Sequence, residues 1–481
     1  MPTADQRRSV FAQSINHGPV PNDDDSAQNG SRRHHTVGFI ASSPEVIETS
    51  NRVPSSAPDG LGFIHRESIH AVGTKNHGFL MSEAKRLNKK DWISRRYPAT
   101  ELTPLVHDPS FSTLGENEHK FSTADVLTGM IFGKKLNMML VFIPFAFLSY
   151  YREWGPDWVF WLNFLAMIPL ASMLGDFTEE LAAHTNQVIG GLINATFGNA
   201  VEVVVAIQAL LANEIRVVQA SMIGSIFSNL LLVLGGCFFF GGLKHKEQSF
   251  NSTAATANIS LLALGCMALV LPTPFAEYYD VEEERVLHIS RFAALFLMLM
   301  YAQLLIFQIK THAFLFADED EEMASLPFWV AMAGLVIVTG VIAIMSDFLV
   351  DSIDGFCEST GVSKTFIGLI ILPIVGNAVE HITAISVAMK DKMDLAMGVA
   401  IGSCVQIALF VIPLIVLTGW ATDKNMTLNF PHFEIILLIM SVIIVSICLS
   451  NPKGNWLEGS LLMTTYCMIA MGFWYEKVVD F

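Results

Sequence analysis

Charged residues are scarce in this chain, and paired cysteines are missing. Asp, Glu, Lys and Arg make up 15% of the 481 residues, where soluble domains carry about 25%. The six cysteines, Cys237, Cys266, Cys357, Cys404, Cys448 and Cys467, include no Cys-x-x-Cys pair and sit in or beside apolar runs. That argues against a zinc site or a disulfide framework and makes them core residues. No His-Glu-x-x-His segment is present, and no nucleophile–base pair or paired-Asp arrangement is visible, which counts against an intramembrane hydrolase. The first apolar run begins more than 130 residues in. A cleavable signal peptide is therefore not expected, and the first membrane span would serve as the insertion signal. Basic charge is also in deficit. Residues 1–137 hold 16 Lys and Arg against 15 Asp and Glu, and the remainder 13 against 30. A net charge of −16 speaks against nucleic acid as a partner and suits a cation.

What the chain does have is apolar length. Hydrophobic residues make up 52% and the mean hydropathy is +0.47. The apolar residues gather into segments long enough to cross a bilayer: 137–151, 158–182, 188–212, 217–243, 255–275, 288–309, 327–350, 365–389, 395–419, 431–449 and 456–475. The expected fold class is an all-α polytopic membrane protein with about 11 transmembrane helices, the lipid bilayer being its first partner.

Two of these segments repeat one another. Gly198-Asn199-Ala200-Val201-Glu202 recurs 178 residues later as Gly376-Asn377-Ala378-Val379-Glu380. The same offset carries Gly190 onto Gly368 and Gly224-Ser225 onto Gly402-Ser403. Shared Leu and Val are common between apolar runs, but a Glu and an Asn in register are not. The duplication relates the third span to the eighth and the fourth to the ninth, giving two five-helix units plus one extra N-terminal helix. An odd number of spans per unit inverts one copy across the bilayer, the plan of secondary transporters with a site at the repeat interface.

The expected organisation is a disordered cytosolic N-terminal tail over 1–125, a first span plus repeat unit over 130–310, an acidic cytosolic linker over 311–326, and a second unit over 327–481. In the tail, Lys85, Arg86, Lys89, Lys90, Arg95 and Arg96 lie among apolar residues. They read either as an amphipathic piece docking on a membrane face or as a solvated linker. The run Asp318-Glu319-Asp320-Glu321-Glu322 reads either as a low-affinity cation collector or as a solubilising connection. Six loop cations fall on each side of the bilayer, and Lys120, Lys134 and Lys135 tip the tail toward the cytosol.

The duplicated segments carry the chemistry. An ionisable residue at membrane depth is a functional candidate by default. Asn199 and Glu202 are three apart and share a helix face. Pro373 and Gly376 favour a broken helix with free carbonyls at the second copy. Ser225, Ser228 and Asn229 face inward from the next span, as do Ser403 and Gln406 in the second unit. Two carboxylates with amide, hydroxyl and carbonyl oxygens form a hard donor set. It suits Ca²⁺, with six to eight oxygens, and Mn²⁺ nearly as well, whereas Zn²⁺ and copper want His and Cys. When a divalent ion leaves, two anions remain in a poorly solvated place and protons replace it, as one coupled pair. Glu202 and Glu380 are thus expected to carry both metal and proton, with Asn199, Asn377, Ser225, Ser403 and Gln406 as supporting metal ligands. His381 is either an interior histidine or a proton relay. Glu179, Glu180, Asp347 and Asp351, with Asp176 and Asp354 near them, sit toward span ends and form ion entry funnels or are ordinary interfacial acids. No cofactor is expected. A homo-oligomer is left open.

These segments resemble the two signature repeats of the cation/proton exchanger family, within the calcium/cation antiporter superfamily. The second continues into His381. Thr178-Glu179-Glu180-Leu181, Gly190-Gly191-Leu192-Ile193-Asn194-Ala195-Thr196-Phe197, Leu349-Val350-Asp351-Ser352-Ile353 and Leu372-Pro373-Ile374-Val375 support it, as does the acidic strip. The resemblance covers residues 130–475 and implies eleven spans and Ca²⁺/H⁺ antiport out of the cytosol at a vacuole membrane, with essential glutamates at Glu202 and Glu380. The rivals are a Na⁺- or K⁺-coupled exchanger, a cation channel and the hydrolase disfavoured above. Gln406-Ile407 stands where the first unit has Ser228-Asn229, so the site need not be symmetric.

Overall fold

A computed structural model describes residues 122–279, 282–312 and 324–476. The tail before residue 122 and the strip at 318–322 lie outside the described residues. Those residues are nearly all helical. In chain order they form α1 Thr123–Phe132, α2 Lys135–Tyr151, α3 Pro156–Ala183, α4 Gln187–Phe197, α5 Ala200–Leu211, α6 Ile215–Lys244, α7 Ser252–Tyr279 and α8 Glu283–Thr311. Then come α9 Phe328–Asp351, α10 Ile353–Thr360, α11 Lys364–Gly376, α12 Ala378–Ala388, α13 Met393–Ala421, α14 His432–Cys448 and α15 Trp456–Trp474. Two short strands, β1 Gln248–Ser249 and β2 Lys453–Gly454, pair antiparallel.

Among the described residues six helices can cross a membrane by length and composition, α3, α6, α7, α8, α9 and α13. Three bent pairs raise that to nine: α1 with α2 at 83°, α4 with α5 at 46° and α10 with α11 at 120°. The bends follow local chemistry. Lys134 separates α1 from α2 and is held by Asp176 at 2.7 Å. Gly361 ends α10 in the left-handed region at φ 73°, where a glycine pays no Cβ penalty.

Long-range contacts sort the loops to two ends. At one end, here the tail end, Glu180 Oε2 accepts from the backbone N–H of Ser325 (2.7 Å) and Leu326 (3.0 Å). Gln248 Nε2 donates there to the Ala388 carbonyl at 2.7 Å. At the far end Phe160 stacks on Phe356 with centroids 4.1 Å apart, and Lys364 pairs with Glu214. Helices α3 and α9 therefore run antiparallel, each starting where the other finishes. The interior is built on α6, 83% buried in its apolar window, and α13, 72% buried. The sparser helices α8 and α9, 22% and 28% buried, present apolar faces outward, as bilayer-facing helices do.

Candidate functional site

Both duplicated segments break at their asparagine. Asn199 has φ −106° and ψ 21°, and Asn377 φ −96° and ψ 8°, outside helical values. Neither side chain caps the helix that follows. The first turn of α5 then carries Glu202, and the first turn of α12 carries Glu380. Free N–H groups at each new helix start, with the positive end of its dipole, favour a carboxylate there. On the neighbouring helices, a π-type turn follows Ser225 over residues 228–233 of α6, and another follows Ser403 over 407–411 of α13. Such single wide turns recur at functional sites.

The side chains converge from both copies. Asn199 Nδ2 donates to Gln406 Oε1. Asn229 Nδ2 donates to Ser403 Oγ at 2.9 Å, and both residues stand beside the Glu380 carboxylate, which also feels the charge of Glu202. Asn377 Nδ2 reaches the Ser225 backbone carbonyl at 3.5 Å. His381 Nε2 lies 2.9 Å from Ser228 Oγ. Gly376 lies so close to Glu202 that a Cβ on it would stand 3.0 Å from Oε1.

Six oxygens in this group are buried with no hydrogen-bond partner among the described residues: both of Glu202, Oε2 of Glu380, and Oδ1 of Asn199, Asn229 and Asn377. Buried polar atoms are nearly always satisfied, so such a cluster asks for a partner from outside the fold. The donor set is all oxygen, which a hard cation satisfies and a proton satisfies in part. Among the described residues no group of three His, Cys, Asp or Glu converges, so amide and hydroxyl oxygens complete any such set.

The acids expected at ion entry divide between the two ends. Glu179 and Glu180 lie at the tail end and Asp347 and Asp351 at the far end. Glu179, Asp347 and Asp351 are exposed, and Tyr150 donates to Asp351 at 3.1 Å. Glu180 is buried and ties the start of α9 through Ser325 and Leu326. Ser225 meets Asn377 through its backbone rather than its hydroxyl. Asn229, expected on the inward face but not among the metal ligands, brings an unpartnered oxygen to the group. Its place four residues after Ser225, on one helix face, was the signal available.

Residues 156–310 and 330–475 match the family described as sodium/calcium exchanger protein. The chain belongs to that family. A vacuolar calcium ion transporter of Schizosaccharomyces pombe is 39% identical, covering 78% of this chain and 93% of the relative. A Ca(2+)/H(+) antiporter of Synechocystis is 42% identical, covering 71% and 97%. The solved structure of native YfkE superposes with a TM-score of 0.63 at 34% identity, over 70% of this chain and 99% of that one. The resemblance drawn from the paired Gly-Asn-Ala-Val-Glu segments thus leads to the right family. In this exchanger chain both segments lie inside the matched regions.

Proposed function

We propose that this protein is a secondary antiporter that exchanges Ca²⁺ for H⁺ at a site shared by Glu202 and Glu380. The observation that carries the reading is the cluster of six unpartnered buried oxygens on five side chains drawn from both copies. Two carboxylates match a divalent ion in charge, and the amide oxygens of Asn199, Asn229 and Asn377 extend the set toward the coordination Ca²⁺ prefers. Ser403 and Gln406 orient it by accepting from Asn229 and Asn199. When the ion departs, the two carboxylates are left facing each other without a cation, and protons neutralise the pair. Ion and protons then compete for the same oxygens, which couples their movements.

The proposal includes eleven spans in two inverted five-helix units plus one N-terminal helix, with the site near the midplane and alternating access to it. The names borne by the relatives from Schizosaccharomyces pombe and Synechocystis support Ca²⁺ as cargo and H⁺ as counter-ion. The first of these names also supports a vacuolar membrane, and the proposal has Ca²⁺ moving out of the cytosol. The tail end is placed on the cytosolic side. Mn²⁺ is a second cargo on chemical grounds, since its preference for oxygen is close.

Purified full-length protein in sealed vesicles tests the reading. A pH gradient alone should drive Ca²⁺ movement, Na⁺ and K⁺ gradients should not, and Mn²⁺ should compete. Ca²⁺ flux that needs Na⁺ or K⁺ and ignores the pH gradient would replace this reading with the alkali-coupled one.

A further inference from the structure

The residues flanking two of the proposed ligands are joined to each other. His381 follows Glu380 on α12, and Ser228 precedes Asn229 on α6. His381 Nε2 lies 2.9 Å from Ser228 Oγ, and Asn229 stands beside the Glu380 carboxylate. Two adjacent contacts therefore tie α12 to α6, one between the ligands and one between their neighbours.

Helix α15 approaches Ser228 from another side. A Cβ on Gly459 would collide with the Gly235 carbonyl and the Phe239 N–H, and one on Gly235 would stand 3.0 Å from Leu462 Cβ. The backbones of α6 and α15 thus nearly touch. Tyr466 lies one turn beyond Leu462, and Ser228 two turns before Gly235, on the faces that meet. The Tyr466 phenol is buried and stands beside Ser228, with no well-formed hydrogen bond to any described residue. Toward α12, a Cβ on Gly236 would meet Ile385 Cδ1 at 2.8 Å, one turn along from His381. Ser228 is fully buried between the two helices, with a polar side chain from each beside it.

A buried phenol without a hydrogen bond is rarely tolerated. A serine hydroxyl can accept and donate together, so Ser228 can serve both neighbours at once. The first copy has Val203 and Gln406 in the places of His381 and Ser228. Valine carries no polar atom, and Gln406 is engaged by Asn199. The arrangement therefore belongs to the Glu380 side.

We propose that Tyr466, Ser228 and His381 are positioning residues, a hydrogen-bonded brace running from α15 through α6 to α12 that holds Asn229 beside Glu380. Tyr466 donates to Ser228 Oγ, and Ser228 donates to Nε2 of a His381 ring that carries its proton on Nδ1. The brace acts on the ion through the two ligands it flanks, by fixing their spacing before the ion arrives. The inference rests on the exchanger reading for what the brace serves.

Nitrogen NMR of the full-length protein labelled at histidine reads the brace without reference to transport. The His381 resonances are those lost in His381→Gln. Wild-type His381 should show an unprotonated, hydrogen-bonded Nε2, and Ser228→Ala and Tyr466→Phe should each move that resonance. In the same samples each variant should weaken Ca²⁺ binding on the order of fivefold, as loss of one hydrogen bond permits. The double variant should bind no more weakly than Ser228→Ala alone, because the two residues act as one chain. Ser228→Thr, which keeps the hydroxyl, should restore both the resonance and the binding. Tyr466→Phe carries the test should Ser228→Ala not fold. A protonated Nε2 in the wild type, unmoved His381 resonances in the variants that fold, or additive losses of Ca²⁺ binding would overturn the brace. A wild-type protein with the expected His381 resonance that binds no Ca²⁺ would count against the exchanger reading instead.

Discussion

The Cys404 thiol donates to the Ile226 backbone carbonyl at 3.6 Å, and the two residues occupy the same position in the two copies, 178 apart. Equivalent points of α6 and α13 therefore touch each other. A helix pair crossing at matched positions places Ser225 and Ser403, one residue before each, on opposite sides of a single crossing. The proposed site lies around that crossing, and its departures from symmetry, Asn229 against Ile407 above all, are departures of sequence.

The seam between α6 and α11 yields a paired comparison. Gly224→Ala drives a Cβ into the Leu369 carbonyl and should cost about 1–3 kcal/mol through overpacking. Gly402→Ala, its counterpart, meets nothing within 4 Å and should leave stability unchanged or slightly raised, because Ala favours a helix over Gly. Thermal unfolding in detergent separates them. Equal midpoints for the two variants would mean the seam is looser than described.

Arg216 and Glu434 make a second test of stability. Glu434 is fully buried and Arg216 is 29% exposed along its side chain. Glu434→Gln removes the opposite charge beside Arg216 and should lower stability by about 1–3 kcal/mol, below the full cost of a wholly buried pair because water still reaches the guanidinium. An unfolding midpoint equal to wild type would show the pair to be energetically idle.

Glu179 and Glu180 are neighbours with different duties. Glu180→Ala removes the acceptor for two backbone N–H groups and should cost about 1–3 kcal/mol, with Ca²⁺ transport persisting in the protein that folds. Glu179→Gln touches an exposed side chain and should change stability by less than about 0.5 kcal/mol. Comparing unfolding midpoints with transport rates decides. If Glu180→Ala kept wild-type stability while its transport stopped, Glu180 would belong to the ion path.

Much of this was legible in the sequence, for physical reasons. Apolar runs must be helical in a bilayer, so helix placement followed from composition, and the 178-residue echo found Glu202 and Glu380 together. Helix breaks were half legible. Pro373 and Gly376 announced the second, but the bend falls at Asn377 itself. The π-type turns after Ser225 and Ser403 left no mark, since Leu and Val fill an α-turn and a π-turn equally well. Arg216 and Glu434 are 218 residues apart and not related by the repeat, so nothing local marks them as partners. Glu180 reads as an entry-funnel or interfacial acid because its partners are backbone amides, which have no sequence signature.

The central claim is that Glu202 and Glu380 carry both Ca²⁺ and H⁺. Glu202→Gln and Glu380→Gln keep shape and hydrogen-bonding capacity and remove one of two charges. The measurement is pH-gradient-driven Ca²⁺ uptake by each variant in sealed vesicles, alongside its unfolding midpoint. The account predicts that uptake is abolished in both, with stability at or above wild type, because removing a carboxylate at membrane depth relieves about 2.5–3.5 kcal/mol. A stable, correctly inserted Gln variant that still exchanges Ca²⁺ for H⁺ at near wild-type rate would contradict it.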